Sequence, residues 1–250
     1  MEQELDNTGL FNPLKAFTAA RIGLGLVGSS APLSHALEFK LAHAHARDAV
    51  YSVLDTERLS NSLRQFNLPI LHLHSRADTR ARYLQRPDLG RQLNETSAAQ
   101  LANQINGDVA IIIADGLSAT AVNNNANELL ALLIPKLLAA KLTLAPLCLV
   151  EQGRVAIGDD IAQGLKAKLS LMLIGERPGL SAADSMGAYL TYNPRTGLTD
   201  ESRNCISNIR PMGLTYSLAT DKIFYLIREA FKKKLSGVAL KDNAGLIDNL

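Results

Sequence analysis

A chain of 250 residues has room for one large domain or for one domain with a smaller appendage, and 47% hydrophobic against 20% charged residues marks an ordinary globular chain. With 26 Lys+Arg against 24 Asp+Glu the net charge is only +2, without the basic surplus that polyanion binders concentrate on one face, so no nucleic-acid partner is expected. No apolar run approaches the ~20 residues that span a bilayer, so no membrane association is expected either. The acidic start at Glu2, Glu4 and Asp6 is not a secretory signal. Two cysteines, Cys148 and Cys205, with no Cys-x-x-Cys pair give neither a disulfide framework nor a zinc site, and a reducing cytoplasm is the natural compartment.

In chain order, residues 34–66 are rich in Ala, Leu, His and Arg and free of Gly and Pro, which favours helix. Two helices are predicted. The first has Ser34 as N-cap and Leu37, Leu41 and Ala49 as an apolar stripe; the second starts at Thr56 and buries Leu59, Leu63 and Phe66. Beyond Pro69 short apolar runs alternate with turn residues and helical stretches, the pattern of a mostly parallel sheet. The predicted strands are 70–74, 109–114, 144–150, 169–174 and 188–192, apolar enough to be buried on both faces. Helices are predicted over 97–104, over 118–139 with Leu129, Leu133 and Leu137 in one row, and over 216–234. The fold class is therefore α/β, a Rossmann-like, mostly parallel sheet flanked by helices and preceded by a helical N-terminal region. The boundary falls between residues 1–68 and 69–250.

Ligands of open α/β sheets bind beyond the carboxyl ends of the strands. Three segments occupy such positions: Asp115-Gly116-Leu117-Ser118, Glu151-Gln152-Gly153-Arg154-Val155 and Gly175-Glu176-Arg177-Pro178-Gly179. Together with residues 204–210 they combine small residues with donors and acceptors, which suits a large amide-bearing ligand. A Gly-x-Gly-x-x-Gly string at Gly23, Gly25 and Gly28 follows residues 15–20, which read as helix rather than as the buried strand a dinucleotide site requires. A connector or subunit-contact loop is the expected use. His72 and His74 share a strand face without a third ligand, and Ser181, Ser185 and Ser207 lack a base, so neither a metal centre nor a hydrolytic triad is expected. The stretch Arg76, Arg80, Arg82, Arg86, Arg91, with Asp78, Asp88 and Tyr83 interleaved, reads equally as a solvated face with internal ion pairs or as a subunit interface.

Seven blocks in order, residues 21–25, 39–50, 83–90, 109–119, 149–155 (with VEQGRV), 174–180 (opening IGERPGLS) and 204–210, resemble the small subunit of ethanolamine ammonia-lyase from about residue 15 to the C-terminus. The resemblance implies the light chain of an adenosylcobalamin-dependent enzyme that converts ethanolamine to acetaldehyde and ammonia. It also implies a hetero-oligomer whose large subunit carries the substrate site and the catalytic groups. Cofactor contacts implied for this chain fall on Val155, Glu176 and Cys205, with no catalytic residue and no metal ligand of its own. The histidine-insertion motif Asp-x-His-x-x-Gly is absent at all five histidines, so the cofactor is expected base-on, keeping its own benzimidazole. The family is associated with a bacterial microcompartment through a longer N-terminal extension. Here about twenty residues precede Arg21, which argues against encapsulation. Two alternatives from other classes stand beside this reading: a freestanding dinucleotide-dependent oxidoreductase and a non-catalytic structural subunit.

Overall fold

The computed structural model describes residues 8–242 except residues 19, 103 and 105. Residues 1–7 and 243–250 of the two predicted regions, residue 19 of the expected 15–20 helix and residue 103 of the expected 97–104 helix lie outside the described set. The chain runs α1 (Thr8–Lys15), α2 (Leu33–Tyr51), α3 (Thr56–Leu63), β1 (Ile70–His74), α4 (Arg80–Gln85), α5 (Glu95–Leu101), β2 (Val109–Ala114), α6 (Ala119–Ala139), β3 (Leu147–Glu151), α7 (Ile157–Gly164), β4 (Leu169–Gly175), β5 (Met186–Tyr192), β6 (Asn204–Ile209) and α8 (Tyr216–Lys233).

The sheet has the order β1-β3-β2-β4-β5-β6. Its first four strands are parallel, and β5 and β6 join antiparallel to β4 and to each other. The α/β class is thus the one the sequence predicts, with an antiparallel edge added. Alternation on the central strands feeds two cores. Val109, Ile111 and Ile113 of β2 pack with α3, α6 and α8 on one face, while Ala110, Ile112 and Ala114 pack with α7 and Leu101 of α5 on the other. The predicted two-sided burial holds for β2 and β4, which are buried throughout. It fails for β1, whose edge position leaves His72 exposed.

Three further differences have physical causes. Helix α2 starts at Leu33 after Pro32, with no side-chain cap from Ser34. It turns alanines toward the body: Ala49 is buried and Ala42 and Ala46 are half-buried, whereas Leu37 and Leu41 are exposed. Helices α4 and α7 are too short, at 6 and 8 residues, to show a clear period in the sequence. Residues 204–209 form a strand because a bulge absorbs their broken alternation. Across Met186 and Ala188 of β5 stand Ile209 and Ile206 of β6, so β6 carries one extra residue, and Asn208 takes φ +61° there.

A candidate ligand cleft at the carboxyl ends of the parallel strands

The chain leaves β2 for β3 on one side and returns through α7 to β4 on the other, so the loops after all three strands meet at one end of the sheet. They interlock through backbone. Gly116 sits at φ +57°, the amide of Leu117 donates to the Gly175 carbonyl at 2.9 Å, and a Cβ on Gly175 would stand 2.0 Å from the Ser118 carbonyl oxygen. Only glycine permits this crossing. Between the loops lies a cavity of about 400 Å³ lined by Tyr83, Gly116, Leu117, Arg154, Val155, Ile174, Gly175, Glu176, Arg177 and Tyr189.

Of the three residues expected to contact a cofactor, Val155 and Glu176 line this cavity together. Cys205 stands one strand pair away on β6, exposed, directly opposite Tyr189 of β5. Its Sγ lies 3.3 Å from the Ser207 hydroxyl. Burial, then the Cys205 thiol, push the Tyr189 phenol above its ordinary range, so Tyr189 stays neutral and able to donate. Glu176 is held by one carboxylate oxygen. Its Oε2 accepts from the Ser185 hydroxyl and, at 3.2 Å, from the amide that the bulge frees at Asn208. Among the described residues Oε1 takes no hydrogen bond. A carboxylate fixed in this way keeps one acceptor oxygen unused, beside Gly187 of β5.

The loop before Val155 is fixed from below. Asp115 lies at the end of β2 with its side chain only 3% exposed, and its carboxylate accepts from the amides of Gln152 at 2.9 Å and Gly153 at 3.0 Å. Burial pushes its carboxyl up to about 6, against the lowering effect of those amides and of Arg80. The Tyr83 ring is sandwiched between two guanidinium groups, Arg154 at 4.1 Å and Arg80 at 4.6 Å, and its hydroxyl donates to the Gly153 carbonyl at 3.1 Å. Tyr83 is fully buried, so the aromatic residue of the arginine stretch belongs to the site's foundation and not to an interface. The outer arginines pair locally at the surface, Arg82 with Asp78 at 3.0 Å and Arg86 with Asp88 at 2.7 Å. These are the internal ion pairs that the solvated-face reading expects. The signal for the stack was Arg80 and Tyr83 at i and i+3; Arg154 comes from 71 residues further on and carries no local signal.

The other candidates fall elsewhere. Gly23, Gly25 and Gly28 take positive φ between α1 and α2, and among the described residues no strand precedes them to make the strand–turn–helix of a phosphate-binding turn. His72 bonds to Ser60 and His74 to the Ser75 carbonyl, and among the described residues no group of three His, Cys, Asp or Glu side chains converges as a metal site would. Among the described residues no helix is long and apolar enough to cross a membrane.

The body is an α/β domain with a mixed, mostly parallel sheet, and its strand ends open a cleft walled in part by Gly116 and Gly175, the position at which open α/β sheets take ligands. The family model of the ethanolamine ammonia-lyase light chain matches residues 9–241. Proteins named ethanolamine ammonia-lyase small subunit are 51% identical to this chain in Pseudomonas aeruginosa (strain LESB58) over 237 residues, 93% of this chain and 87% of the relative. The same identity is found in Pseudomonas putida (strain W619) and Azotobacter vinelandii over 236 residues, 92% of this chain and 87% of each relative. The chain belongs to the ethanolamine ammonia-lyase small-subunit family.

Proposed function

We propose that this chain is the small subunit of an adenosylcobalamin-dependent ethanolamine ammonia-lyase, releasing acetaldehyde and ammonia from ethanolamine only in complex with a large subunit. The observation that carries the reading is the convergence of Val155 and Glu176, carried over from the family motifs, on the one cleft that three strand-end loops build. A corrinoid is far larger than about 400 Å³, so this cleft is one wall of a site that a partner completes. The residues present suit that ligand. Glu176 Oε1 accepts from a peripheral amide or a ribose hydroxyl, the glycine-walled loops allow backbone approach, and Val155 and Cys205 supply small apolar contacts.

When bound, the cofactor would supply the radical chemistry, and Val155, Glu176 and Cys205 are the residues of this chain that would hold it. This chain's contribution is to bind, orient and exclude water. Residues 69–250 form the cobalamin-binding part and residues 1–68 the subunit-contact arm, whose exposed Leu33, Leu37 and Leu41 suit a protein partner. Among the described residues no general acid, base and substrate pocket come together, and the reading assigns the catalytic groups to the large subunit. The proposed compartment is the cytoplasm, with the family's microcompartment association carried by resemblance.

The test is reconstitution. Aldehyde release with adenosylcobalamin is expected from the two subunits together and at background level from either alone. Full turnover by the purified small chain would sink the reading, and fractionation of cells settles the compartment.

A further inference from the structure

Arg80 makes more ties than any surface arginine of the stretch around it. Its Nε donates to the carbonyl of Val50 in the last turn of α2 at 2.7 Å. Its Nη1 donates to the Gly116 carbonyl at 2.9 Å and to Gln152 Oε1 at 3.2 Å, and lies 3.6 Å from Asp115 Oδ2. The side chain is 14% exposed, and its other face rests on the Tyr83 ring. One planar fork thus touches three segments from separate parts of the sequence: the end of α2, the turn after β2 and the turn after β3. The α2 end is itself anchored, since Ser52 bonds both the Ala49 carbonyl and the Thr120 amide at the start of α6.

We propose that Arg80 is a positioning residue that fixes the two cleft-lining turns, Asp115–Leu117 and Gln152–Val155, to the end of α2. Arg80 touches no ligand; it acts through Asp115 and Gln152, which set the path of the backbone leading to Val155. The fork geometry is the active property, because a lysine ammonium cannot serve Val50, Gly116 and Gln152 from one plane. The inference rests on the reading of the cleft as one wall of a cobalamin site.

The experiment uses the complex reconstituted with the large subunit and compares wild type with Arg80→Lys, Arg80→Gln and Asp115→Asn. Three quantities are read: complex size on a sizing column, adenosylcobalamin affinity by absorbance titration, and hydrogen exchange at the Gln152 and Gly153 amides. All three variants should assemble. Both Arg80 variants should lose about tenfold in affinity, Asp115→Asn somewhat less, and the two amides should exchange at least tenfold faster. Full recovery of affinity by Arg80→Lys overturns the fork argument, and unchanged affinity and exchange in Arg80→Gln overturns the proposal outright. If the Arg80 variants do not fold, Gln152→Ala removes one arm alone, with about a threefold loss expected and no loss counting against the idea. A wild-type complex that binds no corrinoid refutes the functional reading instead, and the exchange rates then decide the clamp by themselves.

Discussion

Helices α2 and α6 are nearly equal in length, 19 and 21 residues, and both are rich in alanine and leucine, yet they are used in opposite ways. In α6 a continuous stripe from Ala119 through Leu129, Leu133 and Leu137 is buried between the sheet and α8. In α2 only Ala49 is buried, and most of the large apolar side chains left exposed among the described residues lie before Leu54. Composition and propensity do not separate the two. What separates them is which stripe faces the body: leucines in α6, alanines in α2, whose small side chains let the helix lie close while its leucines turn outward. Under the proposed function, this uncovered apolar face is where the large subunit would lie.

The contrast is sharpest at Leu133, fully buried in α6. Leu133→Ala should cost about 2–5 kcal/mol of unfolding free energy through lost burial and the cavity left behind, read from the urea midpoint. The matching change in α2, Leu41→Ala, should stay within about 0.5 kcal/mol. Equal losses would break the comparison.

Asp115 lies between the interior and the cleft and brings a pH dependence. Its carboxyl, raised by burial to about 6 from the ordinary 3.8, binds a proton in the folded chain while the unfolded chain has already released it. Over the window from about 4 to about 6 this group therefore makes the fold less stable as pH rises, by up to about 3 kcal/mol, and the penalty is complete above 6. Asp115→Asn should remove that component, so the difference in melting temperature between variant and wild type should grow in the variant's favour from pH 4 to pH 7. A constant difference across that range would show that Asp115 titrates normally.

At the rim of the cleft, Glu176→Ala should weaken adenosylcobalamin binding by the reconstituted complex about tenfold to a hundredfold, the ~1–3 kcal/mol of a ligand donor left without its partner. Glu176→Gln should lose less, since an amide oxygen still accepts. The internal bonds from Ser185 and the Asn208 amide give the competing view something to stand on, because removing the carboxylate also strands two donors of the protein. A lowered melting temperature with unchanged affinity in Glu176→Ala would assign Glu176 to the fold alone.

How much of this was legible follows the same division. The strands at 70–74 and 109–114 were readable to the residue because each is an apolar run bounded by turn residues. The three loops of the cleft were readable as strand ends. Strand β6 was not, because Asn204, Ser207 and Asn208 are polar and the bulge at Asn208 breaks the period that Ile206 and Ile209 would otherwise share. The Arg80–Tyr83–Arg154 stack was out of reach as well, since its members are neighbours only after α4 and the loop after β3 have been folded together. The buried face of α2 was misjudged for a different reason: leucine outranks alanine as a core residue when the sequence is read as if every apolar stripe had to be satisfied within one chain.

The smallest expected effect on the fold is also the one that bears most directly on α2. In the double variant Leu37→Asp, Leu41→Asp two side chains that are 55% and 58% exposed become charged, one turn apart on the outer face of the helix. Neither is part of a core, and helix propensity falls only by tenths of a kcal/mol per residue, so the melting temperature of the small chain should move by no more than a few degrees. Association should behave differently. If this face is covered by the large subunit, two desolvated carboxylates in an apolar contact oppose binding by several kcal/mol, and the complex should dissociate on a sizing column at concentrations where wild type remains assembled. A change of one residue's chemistry on the opposite stripe, Ala46→Ser, serves as the control, since it faces the body and should leave assembly intact. If the double variant assembles as tightly as wild type, the outer face of α2 is not covered by the large subunit, and the arm's leucines need a different explanation from the one drawn by contrast with α6.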